Sequence, residues 1–319
     1  MSPSEPTGTT RATQTSTAVP PPEPTAARGR WRMRLAGLLF SVPALVLLLL
    51  FLVTPFLLAI GLSFTNLRLA SPLPVRFVGI ENYVATFTRP SFWQALGNNV
   101  VFTAIVVPVQ TAFALWLAIL VNRKLRGILV FRAIYFSPVV VVMAVAATVW
   151  LLLYSPDRGL INGFLRFISF GALESRWLQS TTMALPAIMI MSIWQGVGFQ
   201  MIIILAGLQD IPEELYEAAQ VDGASRRQQF LYVTLPGLRN TLIFVATVTM
   251  ILAFRLFDQV WVMTQGGPLG ATRTMMIEMV EIGFARQMIA RGSAVAVIFF
   301  LIVLGVTIVQ RLLIREEVQ

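Results

Sequence analysis

Apolar positions along this chain neither alternate nor recur at helical spacing; they fill whole stretches. Six such stretches, at about 35–63, 97–121, 129–154, 183–207, 240–262 and 292–313, approach the roughly 20 residues a helix needs to cross a bilayer. The pattern predicts an all-α integral membrane protein with six transmembrane helices. Pro43 and Pro55 lie inside the first stretch and predict a tilt or kink there, because proline removes a helix hydrogen bond. Residues 1–30, rich in Ser, Thr, Pro and Ala without an apolar period, are expected to form a disordered tail ahead of a transmembrane domain over 31–319.

Between the fourth and fifth stretches, over about 208–240, the pattern changes to short amphipathic segments. Asp210 is placed to cap a helix, with Pro212 in its first turn and Glu213 three residues after the cap. Ile211, Leu215, Ala218 and Ala219 then share one face. Asp222-Gly223 predicts a turn, a second short helix follows from about Ala224 to Tyr232, and Leu235-Pro236 closes it. One reading is an amphipathic loop lying on the lipid surface. Glu213, Glu214 and Glu217 oppose it, since an anionic leaflet attracts basic segments. A helix pair seated in a groove of a protein partner fits better.

Composition agrees with the pattern and removes several chemistries. Of 319 residues, 56% are hydrophobic and 12% charged, about half the charged share of a soluble domain. The absence of Cys and His excludes disulfides, Cys/His zinc sites and histidine-based triads. Lys124, the only lysine, sits in Asn122-Arg123-Lys124-Leu125, so the chain has no P-loop and no ATP site of that kind. The net charge of +9 has a topological explanation that needs no nucleic acid partner. Fourteen basic residues fall in the tail, the 122–132 loop, the 208–240 loop and the C-terminal end; nine are spread over the longer loops of the other side. Basic residues stay inside, so both termini and the 208–240 loop are expected in the cytoplasm.

Two sets of polar residues interrupt the spans. Arg255 and Asp258 are three apart in the fifth, where a continuous helix would put them on one face. They are read as a structural ion pair, a substrate or gating contact, or a proton relay, since charges in a membrane face a bundle interior or a wet cavity. The fourth span carries Ser192, Trp194, Gln195, Gly196, Gly198, Phe199 and Gln200. The small residues suit close helix packing. The rings and amides also suit a sugar, stacking on its face and bonding its hydroxyls.

Glu217-Ala218-Ala219, Gly223, Val233 and Leu235-Pro236, at their spacings, resemble the EAA loop of permease subunits of ATP-binding cassette importers, Val233 replacing the usual Ile. Ala206-Gly207-Leu208-Gln209 with Ile211-Pro212, Phe77-Val78-Gly79 with Asn82-Tyr83, and Trp150 with Gly159-Leu160-Ile161-Asn162 are similar to the carbohydrate-uptake branch. Phe257-Asp258 followed by Thr264 and Gly266-Gly267-Pro268 resembles the first permease subunit of the maltose and glycerol-phosphate type. The resemblance covers about 35–313. It implies a type I importer permease fold in a bacterial plasma membrane and no catalysis by this chain. The loop, with Glu217, Ala218, Ala219, Asp222, Gly223, Leu235 and Pro236, would be the coupling helix docking on a separate ATPase dimer, which binds ATP and Mg. It further implies a second, homologous permease subunit, an extracytoplasmic solute-binding protein, and a translocation cavity between the fourth and fifth spans. There Ser192, Trp194, Gln195, Gly196, Phe199, Gln200, Arg255 and Asp258 are the substrate-pathway candidates. A sugar is the expected substrate, and glycerol 3-phosphate or a glycerophosphodiester the alternative. An ion-coupled secondary transporter using Arg255 and Asp258 is the reading from another class; the sequence shows neither the inverted repeat nor the paired broken helices many such carriers have.

Overall fold

The computed structural model describes residues 39–72, 74–122, 127–169 and 175–316; the 1–30 tail lies outside them. Its contacts divide the chain into two units, Met1–Phe56 and Leu57–Gln319.

The first unit, where described, is the beginning of a membrane-length helix, α1 (Leu39–Ser63). Its helix widens to a π-turn at Leu49–Val53. The cause is local: Pro55 follows, its ring excludes the preceding turn, and Thr54 instead gives both its N–H and its hydroxyl (2.9 Å) to the Leu49 carbonyl. Pro55 is thus accommodated by a π-turn within one continuous helix, where the sequence predicts a tilt or kink.

The second unit is built around α7 (Ala184–Gln209), the most buried of the long helices. Before it come α2 (Glu81–Phe87), α3 (Pro90–Val121), α4 (Ile128–Val140), α5 (Met143–Leu153) and α6 (Leu160–Ile168). After it come α8 (Glu213–Val221), α9 (Arg226–Gly237), α10 (Arg239–Phe254), α11 (Asp258–Met263), α12 (Met275–Val280) and α13 (Ile289–Glu316). α3 and α10 pack on α7 through Ala114, Leu117, Ala118, Val197, Met201, Ile204, Leu205 and Val245, a dry contact of small and branched side chains. Counting each bent pair as one span gives six crossings among the described residues, the expected number.

The expected boundaries shift in three places. α3 starts at Pro90, seven residues early, because a proline in the first turn supplies helical φ and gives up an N–H the helix would not use. Its 32 residues extend about 48 Å, well beyond a hydrocarbon core of roughly 30 Å. The third span is not continuous: α4 and α5 meet at 98°, where Pro138 is followed by four valines and Val141 turns extended. The fifth stretch holds two helices, with α10 ending at Phe254 and α11 starting at Asp258. On its other side α10 meets α9 at 65°, near the Leu235-Pro236 that the sequence read as a stop. Helix interruptions, unseen in the apolar pattern, are therefore a main feature of the fold.

The break at 255–257 is satisfied from a distance. The side-chain amide of Asn99, in α3, donates to the Phe254 carbonyl (3.1 Å) and accepts from the Met275 N–H (2.8 Å). Thr274 donates to the Leu256 carbonyl (2.9 Å). Asn99 and Thr274 are fully buried. Irregular backbone at membrane depth persists only when protein groups replace the lost helix bonds, and these two side chains do so. Nearby, Gln94 donates to the Leu269 carbonyl (3.1 Å) and Asn98 to those of Gly270 (3.0 Å) and Arg273 (2.9 Å). One helical face of α3 thus stitches down the 264–275 segment that holds the Gly-Gly-Pro sequence.

Candidate functional site

The break opens beside a cavity of about 340 Å³ between α3, α5, α7 and α10. Gln110, Ser192, Gln195, Gly196, Thr249, Arg255, Asp258 and Gln259 line it, with Phe102, Val106 and Leu252 as apolar wall. A second cavity of about 140 Å³ adjoins it, sharing Gln110, Gln195, Gly196 and Thr249 and adding Phe199 and Gln200. The larger volume lies in the range of small-molecule sites.

Seven of the eight substrate-pathway candidates therefore meet at one place. Trp194 does not line either cavity: it is exposed, and its ring packs 5.5 Å from that of Trp150. Gln195 and Phe199, four residues apart, do share the smaller cavity, as helical spacing requires. Arg255 and Asp258 both line the larger cavity, yet among the described residues no ion pair joins them. They are not on one helix. Arg255 ends α10 and Asp258 begins α11, so their separation by three has no helical meaning.

Gln110, Thr249 and Gln259 were not singled out in the sequence, and all three are buried in the cavity wall. Gln110 is the one amide in α3 after Asn99, in a run otherwise apolar but for two threonines, and that is the signal that could have found it. A Cβ on Gly196 would lie 2.6 Å from the Gln110 side-chain nitrogen, so Gly196 is the space the Gln110 amide occupies. Four of the other polar groups are held in place. Gln259 donates to the Ser192 hydroxyl (3.2 Å), which donates to the Ile188 carbonyl (2.8 Å). Gln200 donates to the Thr249 hydroxyl, which donates to the Val245 carbonyl (2.7 Å). The Gln200 side-chain oxygen is buried and accepts no hydrogen bond among the described residues. Such an acceptor is costly unless a guest fills it.

At the far end of α7 lies the EAA-like loop. Asp210 closes α7 rather than capping the next helix, and Pro212 takes the cap position of α8. The end of α8 is fully specified. Gly223 is left-handed (φ +77°), its N–H bonds to the Gln220 carbonyl (3.0 Å), and the Ala224 N–H bonds to Ala219 (2.9 Å), which is a Schellman close. α9 then opens with a capping box formed by Ser225 and Gln228. Tyr216 and Thr234 share a hydroxyl–hydroxyl bond (3.0 Å) that ties α8 to α9. Glu217, Ala218, Asp222, Leu235 and Pro236 are exposed, and so are Leu215, Val221 and Tyr232. Val221 and Tyr232, 88% and 76% exposed, are apolar surface offered by a rigid hairpin.

Residues 88–317 match the family described as binding-protein-dependent transport system inner membrane component. A probable ABC transporter permease protein of Pyrococcus horikoshii is 36% identical over 271 residues, covering 85% of this chain and 92% of its own length. The trehalose/maltose transport system permease protein MalF of Thermococcus litoralis is 34% identical, covering 88% and 94%. The crystal structure of a bacterial ABC transporter involved in the import of the acidic polysaccharide alginate superposes with a TM-score of 0.77 over 92% of this chain and 100% of that one, at 20% identity, a likeness of fold. With the cavity, the EAA-like loop and this match over most of its length, the chain belongs to the binding-protein-dependent inner-membrane components, as an ABC transporter permease subunit.

Proposed function

We propose that this permease subunit carries a neutral saccharide through the cavity at the 255–257 break, and that the α8–α9 hairpin receives the drive from a separate ATPase. The observation that carries the substrate reading is the cavity's lining: amides and hydroxyls, with one cation and one anion. Gln110, Gln195, Thr249 and Gln259 suit hydroxyl groups, and the open Gln200 acceptor suits a hydroxyl donor. Phe199 offers a ring face. For glycerol 3-phosphate, Arg255 alone would serve, but Asp258 in the same cavity opposes a dianion.

In this reading a second, homologous permease subunit completes the pathway and an ATPase dimer holds ATP and Mg. An extracytoplasmic binding protein delivers the solute, lipid surrounds the spans, and no nucleic acid is involved. Glu217, Ala218, Ala219, Asp222, Gly223, Leu235 and Pro236 form the ATPase-facing surface, and Val221 and Tyr232 add the apolar contacts. Both termini and the 1–30 tail are cytoplasmic. ATP closure of the ATPases moves the hairpin, and the cavity opens alternately to the two sides.

Proteoliposomes holding the assembled importer test the substrate class through ATP hydrolysis stimulated by the binding protein. Neutral mono- and oligosaccharides stimulate it. Stimulation by glycerol 3-phosphate in their place would replace the neutral reading with the phosphate one.

A further inference from the structure

Away from the cavity, at the membrane end opposite the α8–α9 hairpin, three arginines lie near one another with no carboxylate paired to any of them among the described residues. Arg68 follows α1, Arg89 precedes α3, and Arg291 is the third residue of α13. Among the described residues no carboxylate lies within 4.0 Å of any of them. The charges of Arg89 and Arg68 repel that of Arg291, and Glu81 is the carboxylate whose charge attracts it. Three cations against one anion leave an excess of two.

The backbone forces this crowding. The Ala290 N–H bonds to the Leu67 carbonyl (3.1 Å) and the Leu69 N–H to the Gln287 carbonyl (2.9 Å). Arg68 lies between those two bonds and is held against the start of α13. Arg68, Glu81 and Arg291 line a pocket of about 60 Å³ whose wall includes Asn66 and Asn82. Both asparagines are committed elsewhere. Asn82 donates to the Ser63 (2.8 Å) and Thr65 (2.7 Å) carbonyls, and Asn66 accepts from the Arg76 N–H (2.7 Å). The wall is fixed, and the one side-chain bond these guanidinium groups make among the described residues is a weak one, from Arg291 to the Met288 sulfur (3.8 Å). Arg291 also opposes the α13 dipole, since the first turn of a helix favours negative charge.

We propose that Arg68 and Arg291, with Arg89 adding charge, bind the phosphodiester of a phospholipid headgroup in the leaflet opposite the α8–α9 hairpin. The chemistry is a phosphate held by paired guanidinium groups, the geometry arginine suits best. The pocket is far smaller than the roughly 300–1,000 Å³ of a small-molecule site, so it takes the phosphate and leaves the rest of the molecule outside. A lipid is the source because of depth and surroundings. The site lies where α1 ends and α13 begins, at the level where headgroups sit. Leu69 beside Arg68, Ile80 beside Glu81, and Phe77 beside Val78 of the wall are 47%, 66% and 80% exposed, apolar surface that acyl chains cover.

The test uses the assembled importer in detergent, stripped of lipid and titrated with dioleoylphosphatidylglycerol, with lipid retention read by native mass spectrometry. One phosphatidylglycerol is expected to bind per permease, and dioleoylglycerol, which lacks the phosphate, is expected not to. Arg68→Gln with Arg291→Gln lowers the affinity at least tenfold, and Arg76→Gln, outside the pocket, leaves it unchanged. Glu81→Gln removes the opposing charge and tightens binding several-fold; this variant keeps the question open to refutation if the double variant fails to assemble. Equal retention by the double variant, or no gain in Glu81→Gln, overturns the site. Complete displacement by inorganic phosphate at millimolar concentration makes it a free-anion site and overturns the lipid source. Unchanged lipid retention with loss of stimulation by the binding protein assigns the arginines to a protein contact, and overturns it as well.

Discussion

Gly196 and Gln110 divide one small volume between them. The Gln110 amide lies where an alanine methyl at 196 would be, 2.6 Å from its nitrogen. Gly196→Ala must push that amide, a side chain with some freedom, into the cavity. Overpacking of this kind costs about 1–3 kcal/mol, and uptake should fall about tenfold at equal membrane level, the equivalent of ~1.4 kcal/mol. Gly196→Ala with Gln110→Ala relieves the crowding and restores assembly, but not transport. Uptake and complex yield, measured together, separate the two effects. Gly223 presents the opposite case. Open space surrounds its missing Cβ, so only its left-handed backbone resists substitution. Gly223→Asn, which tolerates that conformation, should keep coupling. Gly223→Val should cost about 1–2 kcal/mol and release the ATPase in a pull-down. The turn at Asp222-Gly223 was legible from two residues, because turn chemistry is local. The Gly196–Gln110 pair was not, since nothing in either residue's neighbourhood names the other.

At the level of helices, the break between α10 and α11 is made by α3. Asn99 lies 155 positions from Phe254 and 176 from Met275. A stretch such as Phe254-Arg255-Leu256-Phe257, apolar but for Arg255, reads as continuous span, because periodicity sees only its own segment. The same limit hid the angle between α4 and α5, and it made Arg255 and Asp258 look like helical neighbours. Six spans were legible, since length and apolarity are local properties; their interruptions were not. Asn99→Leu strands the Phe254 carbonyl and the Met275 N–H, at about 1–3 kcal/mol for each buried group. In Asn99→Asp an ionised carboxylate at this fully buried position would face the Phe254 carbonyl, so the residue is held as the neutral acid, which still accepts from Met275 and donates to Phe254, and its loss should be smaller. Melting of the detergent-solubilised importer should rank wild type above Asn99→Asp above Asn99→Leu, and equal melting of all three would remove Asn99 from the role of supporting the break.

For the molecule as a whole, acid sensitivity should arise beyond the spans. Glu281 sits between Arg286 (2.6 Å) and Arg273 (2.6 Å), and Arg273 also reaches the buried Glu278 (2.6 Å). Burial alone would raise the Glu281 pKa, but the hydrogen bond from Arg286 and the charge of Arg273 outweigh it and hold the carboxyl below its usual 4.5. A carboxyl lowered on folding stabilises the native state above its unfolded pKa, and that contribution disappears as pH falls through the folded value. Stability should therefore be flat with respect to this group above pH 4.5 and decline below it. Glu281→Gln should flatten that acid limb in a pH series of melting curves while leaving the rest of the profile in place.

The amides of Gln94, Asn98 and Asn99 have a consequence for measuring the transport cycle. A segment sewn to a helix at four points moves with that helix. The early turns of α3 and the 264–275 segment are then one lever arm, and conformational change must be sought between that arm and its neighbours. Because the chain has no cysteine, two introduced ones are the only thiols a spin label finds on it. Labels at Gly97, where added atoms meet open space, and at Ala271 should report one unchanging distance with and without ATP. That pair serves as the ruler's fixed end, against which a label on α8 or α13 reports the stroke; a distance between 97 and 271 that changes with nucleotide would mean the stitches open in every cycle.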